Sequence, residues 1–142
     1  ITGELNYNYG NINYLPAFIS KSMNAMIIPV SGKGLWSSLY GYFALDLVNF
    51  NSVKGITFYQ HGETPGLGAE ITKEWFKLNF IGKEIYQNDV LHSIKVTKAG
   101  NADKNSLYEV DGISGATITS RGVEALLRRD LSRYEVYFRK NK

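Results

Sequence analysis

The sequence predicts an α+β fold, an antiparallel sheet with flanking helices, on three observations. Apolar and aromatic runs of strand length recur at residues 25–30, 35–47 and 53–60, separated by turn residues. Helical periodicity is confined to two other places, about 72–80 and about 120–139, and does not alternate with the strands. With 142 residues, the chain is long enough to bury one proper core, and 1–142 reads as a single domain without repeats or low-complexity linkers.

Residues 1–20 mix Asn, Tyr and Gly without clear periodicity and read as a loose leading segment or a short helix. Residues 25–30 form a short apolar strand by expectation, and Ser31-Gly32-Lys33-Gly34 a turn. The run 35–47 is rich in Leu, Tyr and Phe. Its length alone does not separate helix from buried strand, but the aromatics favour strand. Residues 49–52 look like a hairpin turn before the strand at 53–60. The Gly and Pro of residues 61–68, His-Gly-Glu-Thr-Pro-Gly-Leu-Gly, mark a loop. Thr72 is expected to cap a helix running to about Phe80, with Glu74 near its start and Gly82 closing it. Strand signals return around 93–98, and 99–106 form a polar connection. From about Ser120 to Arg139, residues Val123, Leu126, Leu127, Leu131, Tyr134 and Phe138 share one helical face.

Composition narrows the chemistry. The absence of cysteine excludes disulfides, thiolate metal ligands and cysteine nucleophiles. Ten Tyr, seven Phe and two Trp are an unusual aromatic share; most are expected to fill the core, and one or two to wall a planar ligand. The net charge of +3 comes largely from Arg121, Arg128, Arg129, Arg133, Arg139, Lys140 and Lys142. Glu124, Asp130 and Glu135 are interspersed among them, which reads as a solvated helix face, and no nucleic-acid partner is expected. His61 and His92 are the only histidines. No carboxylates stand at fitting spacing for a metal site, and Asp111 and Ser114 have no histidine that the sequence can place as a triad partner, so neither a metal nor a catalytic residue is assigned. No run approaches the ~20 apolar residues that span a bilayer, and no signal peptide is evident. The chain begins at Ile1 rather than Met, and a segment removed upstream is expected.

Asp111-Gly112-Ile113-Ser114-Gly115-Ala116-Thr117-Ile118-Thr119-Ser120 is the most informative segment. Small residues and hydroxyls stand directly ahead of the long amphipathic helix. Gly115 and Ala116 let backbone amides approach an anion, and the first helical turn adds unpaired N–H groups and the positive end of a dipole. A phosphate sits well there, and Thr117 can carry one covalently. Taken alone, the segment reads equally as a turn and helix cap, with Thr119 or Ser120 as N-cap.

Three segments in order, Gly34-Leu35-Trp36-Ser37, Gly62-Glu63-Thr64-Pro65-Gly66-Leu67-Gly68 and Ser114-Gly115-Ala116-Thr117-Ile118-Thr119-Ser120, resemble the FMN-binding domain found in the C subunit of the sodium-translocating NADH:quinone reductase. The G subunit of the Rnf electron-transport complex shares the last motif. The resemblance runs from about Lys33 into the helix after Ser120. It implies FMN joined through its phosphate to the Thr117 hydroxyl by a separate flavin transferase, with FAD as donor, magnesium, and AMP released. It also implies an electron-transfer subunit of a membrane oxidoreductase, standing beside the other subunits on the periplasmic face of the inner membrane. The family's N-terminal membrane helix is missing here, and the isolated domain is not expected to oxidise NADH.

The resemblance further implies that Ser114, Gly115, Ala116, Ile118 and Thr119 surround the phosphate. Asp111 bonds loop amides or serves transferase recognition. Glu63 and Thr64 would bond ribityl hydroxyls or the ring edge, and Leu67 and Trp36 would give apolar contact to the isoalloxazine, Trp36 reading equally as a core residue. Gly66 and Gly68 admit backbone close to the ring. Lys98 either neutralises phosphate or reduced-ring charge, or is an exposed strand-end lysine. Ala69 stands where the family commonly has glycine. The alternatives are an Rnf-type G subunit with the same covalent FMN, or a module that holds flavin or phosphate noncovalently.

Overall fold

A computed structural model describes the backbone of residues 2–9 and 12–142, and side chains from Leu15 onward. Five antiparallel strands make one sheet in the order β1-β2-β3-β4-β5: β1 (Thr2–Tyr9), β2 (Ile12–Ser20), β3 (Ala25–Lys33), β4 (Ser38–Asp46) and β5 (Val53–Gln60). The α+β expectation therefore holds. Residues 1–20, expected to be loose or helical, instead give β1 and β2, paired with Leu5 opposite Leu15. Their Asn and Gly content hid the strands, because sheet pairing overrides weak intrinsic propensity.

Alternation along the strands sets one face against a helix. Met26, Ile28 and Val30 of β3, Leu39, Phe43 and Leu45 of β4, and Val53, Ile56 and Phe58 of β5 are buried. The helix α2 (Thr117–Asn141) lays Val123, Leu126, Leu127, Leu131, Tyr134 and Phe138 on that face, all of them buried. It approaches so closely that a Cβ on Gly32 would stand 2.6 Å from Leu126 Cβ, and one on Gly122 would collide with the Lys33 carbonyl. Asp130 fixes the pair further, since its Oδ2 accepts the Ser31 amide at 2.9 Å. Of the basic helix residues, Arg129 and Arg133 pair with Asp130, while Arg139 pairs with Glu135 and Asp89.

Outside the long strands the chain differs from expectation in detail. The turn before β4 is Gly34–Ser37, closed by the Gly34 amide on the Ser37 carbonyl at 2.8 Å, because Ser31 to Lys33 continue β3. The helix expected at 72–80 is one α-helical turn, α1 (Glu74–Lys77), between 3-10 turns at Gly68–Thr72 and Leu78–Phe80. Thr72 does not cap it, since its hydroxyl donates to the Ala69 carbonyl at 2.9 Å. Phe76 and Phe80 still bury, and Gly82 ends the segment with φ +85. A hairpin of β6 (Tyr86–Gln87) and β7 (Val90–Leu91) turns on Asn88 and Asp89, both at positive φ. β8 (Lys95–Thr97) pairs in parallel with β9 (Glu109–Asp111), an element not expected from sequence.

Candidate functional site

The strand β9 ends at Asp111 and the chain turns through Gly112 and Gly115 into α2, which begins at Thr117 rather than Ser120. Gly115 has φ +75, a conformation that costs other residues about 1 kcal/mol or more. Neither Thr119 nor Ser120 is the N-cap. Ala116 holds that position and no side chain caps the helix, so no side chain occupies the amides at Thr117 and Ile118, both exposed residues. The two hydroxyls are committed elsewhere. Ser120 Oγ donates to the Ala116 carbonyl at 2.9 Å and accepts the Ile113 amide at 3.0 Å, which folds the loop back onto the helix. Thr119 Oγ1 donates to Glu63 Oε1 at 2.7 Å.

Thr117 is exposed and lines a cleft of about 470 Å3 with Thr97, Lys98, Asn101 and Arg121. That size lies within the range usual for cofactor sites. Lys95, Lys98 and Arg121 line the cleft together with Glu109 and Glu124, which leaves it a net positive charge beside the positive end of the helix dipole. Asp111 does not line it. Its Oδ1 accepts the Ala102 amide at 2.9 Å, which supports the loop-bonding reading of this residue.

On the other side of the helix start stands a second group. Ile118 is exposed, and Leu67 lies against Gly115, with Cδ2 3.1 Å from where a Cβ would be. Trp36 is 70% exposed and so is free to meet a ligand rather than serving the core. Thr64 and Ser114 are exposed too, and the Thr64 carbonyl closes the loop by accepting the amides of Leu67 and Ala69 at 3.0 and 3.1 Å.

The fold gives Glu63 and Gly68 contacts other than those expected. Glu63, expected to bond a flavin edge or ribityl hydroxyl, is 5% exposed and already filled. Its Oε1 accepts the Leu35 amide at 2.7 Å and the Thr119 hydroxyl; its Oε2 accepts the Trp36 amide at 3.0 Å, the Ser37 amide at 3.1 Å and the Ser37 hydroxyl at 3.0 Å. Those donors take up the lone pairs of a carboxylate. Burial alone would raise the Glu63 pKa, but hydrogen bonds from Thr119, Leu35, Trp36 and Ser37 outweigh it and hold the carboxyl below its usual range. Gly68, expected to admit backbone to the ring, is buried: a Cβ there would stand 2.6 Å from Thr119 Oγ1 and 2.9 Å from Glu63 Cβ. Its smallness serves that contact instead.

Sequence reasoning missed Arg121, Thr97 and Asn101 as cleft residues. Arg121 was legible, one helical turn beyond Thr117 on the same side; Thr97 and Asn101 enter only through the β8–β9 pairing. Among the described residues no cluster of His, Asp or Glu could hold a metal, and no helix is long and apolar enough to cross a membrane.

The chain is similar to the C subunit of the Na(+)-translocating NADH-quinone reductase of Vibrio alginolyticus, 48% identical over 99 residues that cover 70% of this chain and 38% of that protein. For the same protein of Pseudomonas aeruginosa the figures are 44% over 108 residues, 74% and 41%. The chain thus spans about two fifths of the length of these relatives. The crystal structure of the C subunit from Parabacteroides distasonis superposes with a TM-score of 0.80 at 39% identity, over 89% of this chain and 63% of that one. The NqrC structure of Shewanella oneidensis gives 0.73 at 30% identity, over 89% and 61%. The profile of the FMN-binding domain matches residues 34–132, from the Trp36 turn through most of α2, and the chain belongs to that family.

Proposed function

We propose that residues 1–142 form an electron-transfer domain that carries FMN through a phosphoester on Thr117, in a subunit of the Na(+)-translocating NADH-quinone reductase type. The observation that carries this reading is the placement of Thr117: an exposed hydroxyl on the first residue of an uncapped 25-residue helix, at the edge of a cleft that holds Lys98 and Arg121. The residues present fit the group. First-turn amides that no side chain caps, with Lys95, Lys98 and Arg121 outnumbering Glu109 and Glu124 in the cleft, suit a phosphate diester, and the exposed Trp36, Leu67 and Ile118 suit a planar apolar ring.

When bound, FMN supplies the uptake and release of electrons; the chain supplies attachment, orientation and electrostatics. A covalent tether relieves the site of holding its cofactor by buried area alone, so an open, solvent-facing site is compatible with permanent retention. The names of the relatives support partners in the other subunits of the reductase, and Thr117 then requires a flavin transferase that moves FMN from FAD and releases AMP. In this reading the domain works on the outer side of the membrane, and it does not turn over NADH by itself.

The test is intact mass after co-expression with a flavin transferase. The native chain gains one FMN less water, and Thr117→Ala gains nothing. Flavin that leaves the native chain on denaturation would instead support a noncovalent module.

A further inference from the structure

Glu63 is buried beneath the site, has no free lone pair for a ligand, and yet joins its two halves. We propose that Glu63 and Thr119 are positioning residues: a hydrogen-bonded brace that fixes the turn carrying Trp36 against the helical turn carrying Thr117. This rests on the reading of Thr117 as the flavin attachment point.

Three observations support the brace. First, among the described residues the hydrogen-bonded route from the turn at 34–37 to the start of α2 runs through Glu63, from the amides of Leu35, Trp36 and Ser37 to the Thr119 hydroxyl. Secondly, Trp36 is 70% exposed, so little packing holds this residue, and the bond from its amide to Glu63 Oε2, at 3.0 Å, fixes the backbone from which the indole projects. Thirdly, two glycines leave room for the brace: a Cβ on Gly34 would collide with Glu63 Oε1, and one on Gly68 would press on Thr119 Oγ1 and Glu63 Cβ.

The donor set also explains why the residue must be an anion. All five contacts donate to the carboxylate. A glutamine would turn an NH2 group towards backbone N–H groups and leave donors buried without an acceptor.

The experiment compares native chain, Glu63→Gln, Thr119→Val, Thr119→Ser and Trp36→Phe, each co-expressed with the flavin transferase. Intact mass reads attachment. Flavin emission reads the indole, which quenches an excited flavin it stacks against. Amide exchange at residues 35–37 in flavin-free chain reads the brace itself. Emission is compared among the chains that gain the FMN mass. Emission rises in E63Q and T119V towards the level of W36F, exchange at 35–37 quickens roughly tenfold, and T119S restores native values. Should E63Q fail to fold, T119V and T119S carry the comparison. Native chain that gains the mass, with emission and exchange unmoved in T119V, overturns the brace alone. Native chain that gains no mass overturns the attachment reading, and the role of the brace towards flavin with it.

Discussion

Asp111 Oδ1 accepts the Ala102 amide at 2.9 Å and lies 3.5 Å from the Thr97 hydroxyl, which ties the loop after β8 to the strand that leads into the Thr117 turn. The carboxylate therefore shapes one wall of the cleft from behind. Asp111→Ala removes the acceptor and is expected to cost about 1–2 kcal/mol in urea unfolding. Asp111→Asn keeps an oxygen there and is expected to fold within roughly 0.5 kcal/mol of native. An Asn variant that folds normally but gains no FMN mass assigns this side chain to transferase recognition.

Gly115 makes the tight entry to α2 with φ +75, and Leu67 leaves a substituent only 3.1 Å of clearance. Gly115→Ala therefore meets backbone strain and a side-chain contact together. The expected loss is about 1–2 kcal/mol, read by denaturant unfolding. Because the strain falls two residues before Thr117, the same variant is expected to accept FMN more slowly. Equal rates of mass gain would place the attachment geometry outside this turn.

Much of this was legible in the sequence, for reasons that differ between elements. The strand at 53–60 was read with its observed ends because Val53, Ile56 and Phe58 fall between clear turn residues. The long helix was read from its apolar face, yet its start was placed at Ser120, because Thr119 and Ser120 look like caps in isolation. Their hydroxyls are claimed by Glu63 and Ala116, partners that a single chain position does not reveal. Glu63 reads as a ligand-binding acid for the same cause: that its carboxylate is buried and gathers amides from residues 35–37 is visible only in the fold. Strands β1 and β2 were missed because their stability comes from pairing rather than from composition.

Glu63 also sets a direction for acid stability. Its folded pKa lies below the ordinary carboxyl value of 4.5, so its contribution is full above about pH 4.5 and is lost as pH falls through the lower folded value. Native chain is expected to lose stability in that acid window more steeply than E63Q, which has no charge there to lose. At neutral pH the same variant is expected to be weaker by roughly 2–4 kcal/mol, since it leaves buried donors unpaired. Urea midpoints at neutral and acid pH check both. Parallel pH profiles for the two proteins would show that Glu63 titrates alike folded and unfolded.

Ser93 is 2% exposed at φ +61, and among the described residues its hydroxyl has no hydrogen-bond partner. An unpaired buried hydroxyl is a cost without a return in folding. Ser93→Ala is expected to raise stability by about 1 kcal/mol, seen as a higher denaturant midpoint with an unchanged slope. A destabilised Ala variant would point to a bridging water at this hydroxyl.

Tyr134 closes the far end of the core by donating its hydroxyl to the Pro16 carbonyl at 2.5 Å, linking α2 to β2. Burial pushes its phenol up to about 12; Arg133 works against that shift and Asp130 with it. The folded pKa is raised, so this contribution is complete below the ordinary value of 10.0 and is lost as pH rises through about 12. Tyr134→Phe is expected to lose about 1 kcal/mol at neutral pH, the worth of one hydrogen bond, and to fall less steeply in alkali. Part of the alkaline slope should persist in that variant, because burial also raises Tyr86 to about 12, with Glu135 adding to the shift. Unfolding midpoints followed from about pH 9 to about pH 12 separate the two tyrosines: a Phe variant with the full native slope would assign the alkaline transition to Tyr86 alone.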